Sequence, residues 1–134
     1  MKGRRVFNVE QIDHVAFVAR DIERLVAWYQ ELFGMERRYA DVWTGQGDPV
    51  ALCADDACVA LFRARDSTET HKEPQHPNRH FALRLDQANF RQAQVDLHAR
   101  GISFSLWDHK VSQSVYFTDP EGNYIELTTY EVSG

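Results

Sequence analysis

Three residues of this chain have the types and the setting to bind a cation: His14, His80 and Glu126. Val15 and Phe17 follow His14 at alternate positions, Phe81 and Leu83 follow His80, and Ile125 and Leu127 flank Glu126. In a β-strand successive side chains point to opposite faces, so each polar group stands on the face opposite its apolar neighbours. A carboxylate buried there without a partner costs several kcal/mol, so Glu126 meets water, a cation or a metal. Two imidazoles and one carboxylate on a shared surface are a divalent-metal donor set, and three protein ligands leave further positions for water or substrate.

The surrounding elements explain how that surface arises. Alternation predicts a strand over 12–20, with His14 near its start. Asp21 is a good N-cap, Ile22, Leu25, Val26, Tyr29, Leu32 and Phe33 fall at helical spacing, and Gly34 suits a left-handed cap. A helix over 21–33 and strands over 35–43, 50–54 and 58–63 follow. Residues 64–78 are polar, contain His71 and His76, and lack periodicity, as a linker does. The pattern then restarts with a strand over 80–85, a helix marked by Phe90, Ala93 and Leu97 that ends before Gly101, and a strand over 102–107. A final hairpin turns through Asp119-Pro120-Glu121-Gly122, where proline pre-sets φ and glycine accepts a positive one.

The chain is thus read as one domain over 1–134, built from two βαβββ modules offset by about 66 residues. Module one spans about 10–63, the linker 64–79 and module two about 80–130. The fold class is α+β, with a cupped mixed sheet and helices on its outer face. Each module opens on a histidine in the same register, and aligning the last strands sets Ala60 against Glu126. The first module offers a methyl where the second offers a carboxylate, so the site has three protein ligands and no fourth.

Charge and composition narrow the partners. A net charge of −5 argues against nucleic acid or an anionic membrane. No apolar run reaches the roughly 20 residues of a membrane span, and no secretory signal opens the chain. Cys53 and Cys58 are too few for a disulfide scaffold, so they read as reduced core residues of a cytoplasmic protein.

With these residues in place, the chain resembles the vicinal oxygen chelate superfamily, which includes glyoxalase I, bleomycin-resistance proteins, fosfomycin-resistance enzymes and extradiol dioxygenases. The resemblance covers about 12–130 and rests on Asp13-His14-Val15 leading to Phe33-Gly34, on Arg79-His80-Phe81, and on Tyr116-Phe117-Thr118-Asp119-Pro120-Glu121-Gly122 before Glu126. It implies a homodimer, a metal held by His14, His80 and Glu126, and a small substrate bound to that metal through one or two oxygens. Within the superfamily, the extradiol signature is similar to His109, Val115, Tyr116, Asp119, Pro120, Gly122 and Glu126. This likeness implies catalytic roles for Tyr116, hydrogen bonding to a metal-bound catecholate, and for His109 at the pocket rim. Trp107 is bulkier than that signature usually has, and neither His71 nor His76 falls where those enzymes place an acid–base histidine.

The leading expectation is therefore a small ring-cleaving dioxygenase acting on an aromatic diol, with Fe(II) favoured over Mn(II), Zn(II) or Ni(II). Its first alternative is another metal-dependent reaction on the same scaffold, a glyoxalase-like lyase or isomerase or a fosfomycin-type transferase; Ala60 counts against glyoxalase I itself. The other alternative is a bleomycin-resistance-like binding protein in which Trp28, Trp43 or Trp107 stacks on a flat ligand.

Overall fold

The computed structural model describes residues 6–66 and 79–132. Its elements run β1 (Val15–Ala19), α1 (Ile22–Phe33), β2 (Glu36–Arg38), β3 (Val50–Ala54), β4 (Ala57–Arg63), β5 (His80–Arg84), α2 (Gln87–Ala99), β6 (Ser105–Asp108), β7 (Gln113–Thr118) and β8 (Tyr124–Thr129). This is βαβββ twice. The strands form two four-stranded mixed sheets, ordered β1-β4-β3-β2 and β5-β8-β7-β6, in which only the β1–β4 and β5–β8 pairs are parallel.

The repeat extends to individual residues. Ala16 faces Ala60 across β1 and β4, and Ala82 faces Glu126 across β5 and β8, 66 positions further on in both strands. On the opposite face Val59, Leu61, Leu52, Ile125, Leu127, Val115 and Phe117 are buried together with Ile22, Leu25 and Tyr29 of α1 and Phe90 and Leu97 of α2. One apolar core therefore serves both modules, and Phe17 of β1 meets Phe81 of β5 with ring centroids 5.3 Å apart.

Local chemistry sets the element ends. Asp21 caps α1 by accepting from Arg24 N, and Gly34 ends it with a φ of 64°. Asp86 caps α2 by accepting from Asn89 N. The expected strand over 35–43 is shorter than its pattern suggested. It stops at Arg38 because Tyr39 takes a φ of 62° and its carbonyl accepts from Val42 N and Trp43 N, which turns the chain out of the sheet. Similarly, β1 begins one residue after His14.

A second expectation is overturned at the β3–β4 hairpin. Cys53 and Cys58 are not separate reduced thiols but a disulfide. The two-residue turn at Asp55 and Asp56 places them directly opposite each other, at a closeness the alternation of a hydrophobic run does not reveal.

One buried polar knot joins the modules. The carboxylate of Asp119, only 4% exposed, accepts from Tyr29 OH at 2.8 Å, from Asn123 Nδ2 at 2.8 Å, and from the backbone N–H groups of Glu121 and Asn123. Beside it, the Glu121 carboxylate accepts from Arg20 N and Asp21 N at the entry to α1. The β7–β8 turn is thereby fastened to the first module. Burial, and then the Asp119 charge, hold the Tyr29 phenol far above its ordinary range. A group whose folded value is raised contributes its stability below the unfolded value of about 10 and loses it as pH rises beyond that. Tyr29→Phe should lower stability by about 1.5–3 kcal/mol at neutral pH. Denaturant melts of the variant should also lose part of the wild-type decline above about pH 10, the unfolded value for tyrosine.

Candidate functional site

Residues opposite each other in a ladder share a face, so the registers of the second sheet define three rows on its helix-free side. His80, Tyr124 and Thr118 form the first row, and Ala82, Glu126, Tyr116 and Ser105 the second. Arg84, Thr128, Ser114 and Trp107 form the third. Ala82 contributes only a methyl, and the His80 ring reaches diagonally past it, bringing Nε2 to 2.8 Å from Glu126 Oε1. The two side chains are 26% and 12% exposed, so this contact lies in a partly desolvated recess. The other carboxylate oxygen, Oε2, accepts from Ser114 Oγ at 2.5 Å, and Ser114 in turn lies 3.0 Å from Thr128 Oγ1. Ser114 is fully buried, which fixes the direction of that donor.

Tyr116 stands directly across from Glu126 on β7. Burial, followed by the neighbouring Glu126 charge, raises its phenol above the ordinary tyrosine value, which keeps it a neutral donor. Its hydroxyl lies 3.0 Å from His109 Nε2, and its ring meets that of His80 edge-on at 5.4 Å. Of the two residues that the family likeness singled out, Tyr116 lies across from the carboxylate and His109 meets Tyr116 rather than the carboxylate itself.

A metal would suit the His80–Glu126 pair. Two donor atoms bound at about 2.1 Å and at right angles lie about 3 Å apart, close to the observed separation. A carboxylate only accepts, so in this arrangement His80 Nε2 carries a proton where a cation would sit. The hydrogen bond from Ser114 is the kind of outer support that orients a ligating carboxylate.

His14 does not join them. Among the described residues no three His, Cys, Asp or Glu side chains come together as a donor group. His14, 48% exposed, has its Nδ1 at 2.8 Å from Asp13 Oδ2. A carboxylate accepts, so that contact places a proton on Nδ1 and leaves Nε2 outside it. Of the other expectations, His71 and His76 lie outside the described residues, and His98 is exposed on α2. Trp28 packs against Tyr29, Phe33 and Phe117, Trp43 packs against Tyr39, and Trp107 stands 58% exposed on the third row. Ser114 and Thr128 were missed, because a serine and a threonine within apolar strands give no signal until the register pairs them.

The family model of the Glyoxalase/Bleomycin resistance protein/Dioxygenase superfamily matches residues 11–127. This chain belongs to that superfamily. Metallothiol transferase FosB of Staphylococcus epidermidis (strain ATCC 12228 / FDA PCI 1200) is 23% identical over 91% of this chain and 83% of its own length. Its counterpart from Lysinibacillus sphaericus (strain C3-41) is 26% identical over 91% of this chain and 84% of its own. The fold matches a lactoylglutathione lyase from Agrobacterium tumefaciens with a TM-score of 0.69 at 23% identity, covering 90% of this chain and 94% of the other. It also matches fosfomycin resistance protein FosX from Mesorhizobium loti, with a TM-score of 0.63 at 22% identity over 91% of this chain and 93% of the other.

Tyr116→Phe should release His109 from its partner. The exposed pair contributes only about 0.5–1.5 kcal/mol, so the melting temperature should move little. The His109 imidazole resonances should shift in NMR while those of His98 stay in place.

Proposed function

We propose that this chain is a divalent-metal enzyme that adds a thiol to a small, oxygen-chelating electrophile, the reaction type of the fosfomycin-resistance transferases. The observation that carries the metal assignment is the His80 Nε2–Glu126 Oε1 contact at 2.8 Å, braced by Ser114. The direction of the chemistry is supported by the two metallothiol transferases among its relatives. On this reading the first choice of metal moves from Fe(II) to Mn(II). When bound, the cation acts as a Lewis acid on a substrate oxygen. His80 and Glu126 supply two ligands, and His14 of a second copy supplies the third, since within one copy it stands with Asp13. Ser114 keeps one Glu126 oxygen occupied and leaves the other to the metal. Tyr116, held neutral, donates a hydrogen bond to the developing negative charge of the substrate.

One observation favours a second reading. The His109–Tyr116 hydrogen bond at 3.0 Å is the pairing expected for proton handling in a small extradiol dioxygenase using Fe(II). The two readings separate in one experiment. Mn(II)-loaded protein is given fosfomycin and a small thiol, and Fe(II)-loaded protein is given catechols under an oxygen electrode. Thiol-adduct formation without oxygen uptake supports the transferase. Catechol-dependent uptake without adduct overturns it in favour of ring cleavage.

Two further outcomes follow. Calorimetric titration with Mn(II) should show Ser114→Ala binding roughly 10–100-fold more weakly, as for other outer-shell changes, and Glu126→Ala not binding measurably. His14→Ala and Glu126→Ala should each be inactive alone. Unfolded and refolded together, they should regain about a quarter of wild-type activity, because half of random dimers are mixed and each holds one intact site. No recovery on mixing would place all three ligands within one copy.

A further inference from the structure

The helix-free face of the first module carries sulfur where the second carries a phenol and a hydroxyl. Cys53 and Cys58 occupy the row that holds Thr118 and Tyr124 in module two. They are directly opposed on β3 and β4, with Cα atoms 4.1 Å apart, and are joined by a disulfide. This is the close, non-hydrogen-bonded kind of antiparallel pair, one step in from a two-residue turn. The bond is poorly placed to be a structural staple. It closes a loop that the turn and the ladder already close, and short loops are where a disulfide constrains the unfolded chain least.

The bond is well placed for exchange. Cys53 is only 5% exposed, whereas Cys58 is partly open to solvent. Arg38 reaches over the hairpin from β2. Its Nη2 donates to the Asp55 carbonyl at 2.7 Å, and its Nη1 lies 3.9 Å from Cys58 Sγ. A guanidinium fixed by that hydrogen bond sits where an incoming thiolate would approach, and where a released Cys58 thiolate would remain.

We propose that Cys58 is a site of reversible S-thiolation by a low-molecular-weight thiol. The small thiolate attacks Cys58 Sγ, and a new S–S bond forms as the Cys53–Cys58 bond breaks. The leaving electron pair goes to Cys53 Sγ, which takes a proton from water. A second small thiolate attacks the small-molecule sulfur of the mixed disulfide, releasing Cys58 as a thiolate beside Arg38. In sum, two small thiols are oxidised to their disulfide and the protein disulfide is reduced to two thiols. The site does not depend on the reaction assigned to His80 and Glu126.

The test uses the full chain with glutathione as probe. Cys53→Ser traps the adduct, because the resolving thiol is gone. Incubated with oxidised glutathione while its circular dichroism stays native, this variant should gain one glutathione, mapped by peptide mass to Cys58. In the otherwise wild-type chain, Arg38→Ala should slow reduction by reduced glutathione roughly tenfold, and Arg38→Lys should restore most of the rate, if the positive charge is what draws the thiolate. The proposal is overturned if Cys58 in Cys53→Ser takes up no glutathione. It is equally overturned if wild-type reduction proceeds only at the rate of global unfolding, or if Arg38→Ala reacts as fast as wild type.

Discussion

The Asp119 carboxylate is the point on which the two modules depend. A buried negative charge is tolerable only when its lone pairs are taken, and here the turn that carries it and the helix of the other module share the task. Tyr29 crosses from α1 to provide the outside donor, while Glu121, two residues on, accepts from the backbone at the start of the same helix. Local turn chemistry and long-range docking are thus one interaction. If the turn opened, Asp119 would lose its backbone donors and Tyr29 its acceptor together. The β7–β8 register follows from the same turn, and that register sets Tyr116 opposite Glu126 and Ser114 opposite Thr128. The geometry of the site is therefore inherited from a knot on the other side of the sheet.

Much of this was legible in the residues. The repeat, the capped helix over 22–33 and the side assignment of Glu126 all rest on periodicities that the core enforces. The alignment of Ala60 with Glu126 proved to be the real register correspondence, because both parallel pairs are anchored by the same apolar alternation. What escaped depends on pairing across strands. Nothing near Ser114 in sequence suggests that its hydroxyl ends beside a carboxylate 12 residues on. The disulfide escaped for the same reason: a cysteine pair five residues apart reads as core until the turn length is known. Residues 39–43 misled because Tyr39 spends its carbonyl on a turn, at a φ its residue type rarely adopts.

The two histidines show where a repeat informs and where it does not. Equivalent register places both on the helix-free side, but among the described residues it does not join His14 to the His80–Glu126 pair. His80 meets its carboxylate within its own module, since β5 and β8 are neighbours. The module-one equivalent of Glu126 is Ala60, so His14 has no such partner in its own sheet and turns to Asp13 instead. With no carboxylate across the ladder, the His14 ring stays 48% exposed beside Asp13.

The same comparison shows how a duplicated module divides labour. The core faces of the two sheets are interchangeable in kind, with valine, leucine and isoleucine at matching positions, because both must cover a helix. The helix-free faces have diverged. In module two the middle row runs Ala82, Glu126, Tyr116, Ser105, and in module one it runs Ala16, Ala60, Ala51, Arg38. Three alanines leave the module-one row mostly short and apolar, while the module-two row carries a carboxylate, a phenol and a hydroxyl. The divergence of the two faces is thus concentrated at one repeat position, where the methyl of Ala60 stands against the carboxylate of Glu126.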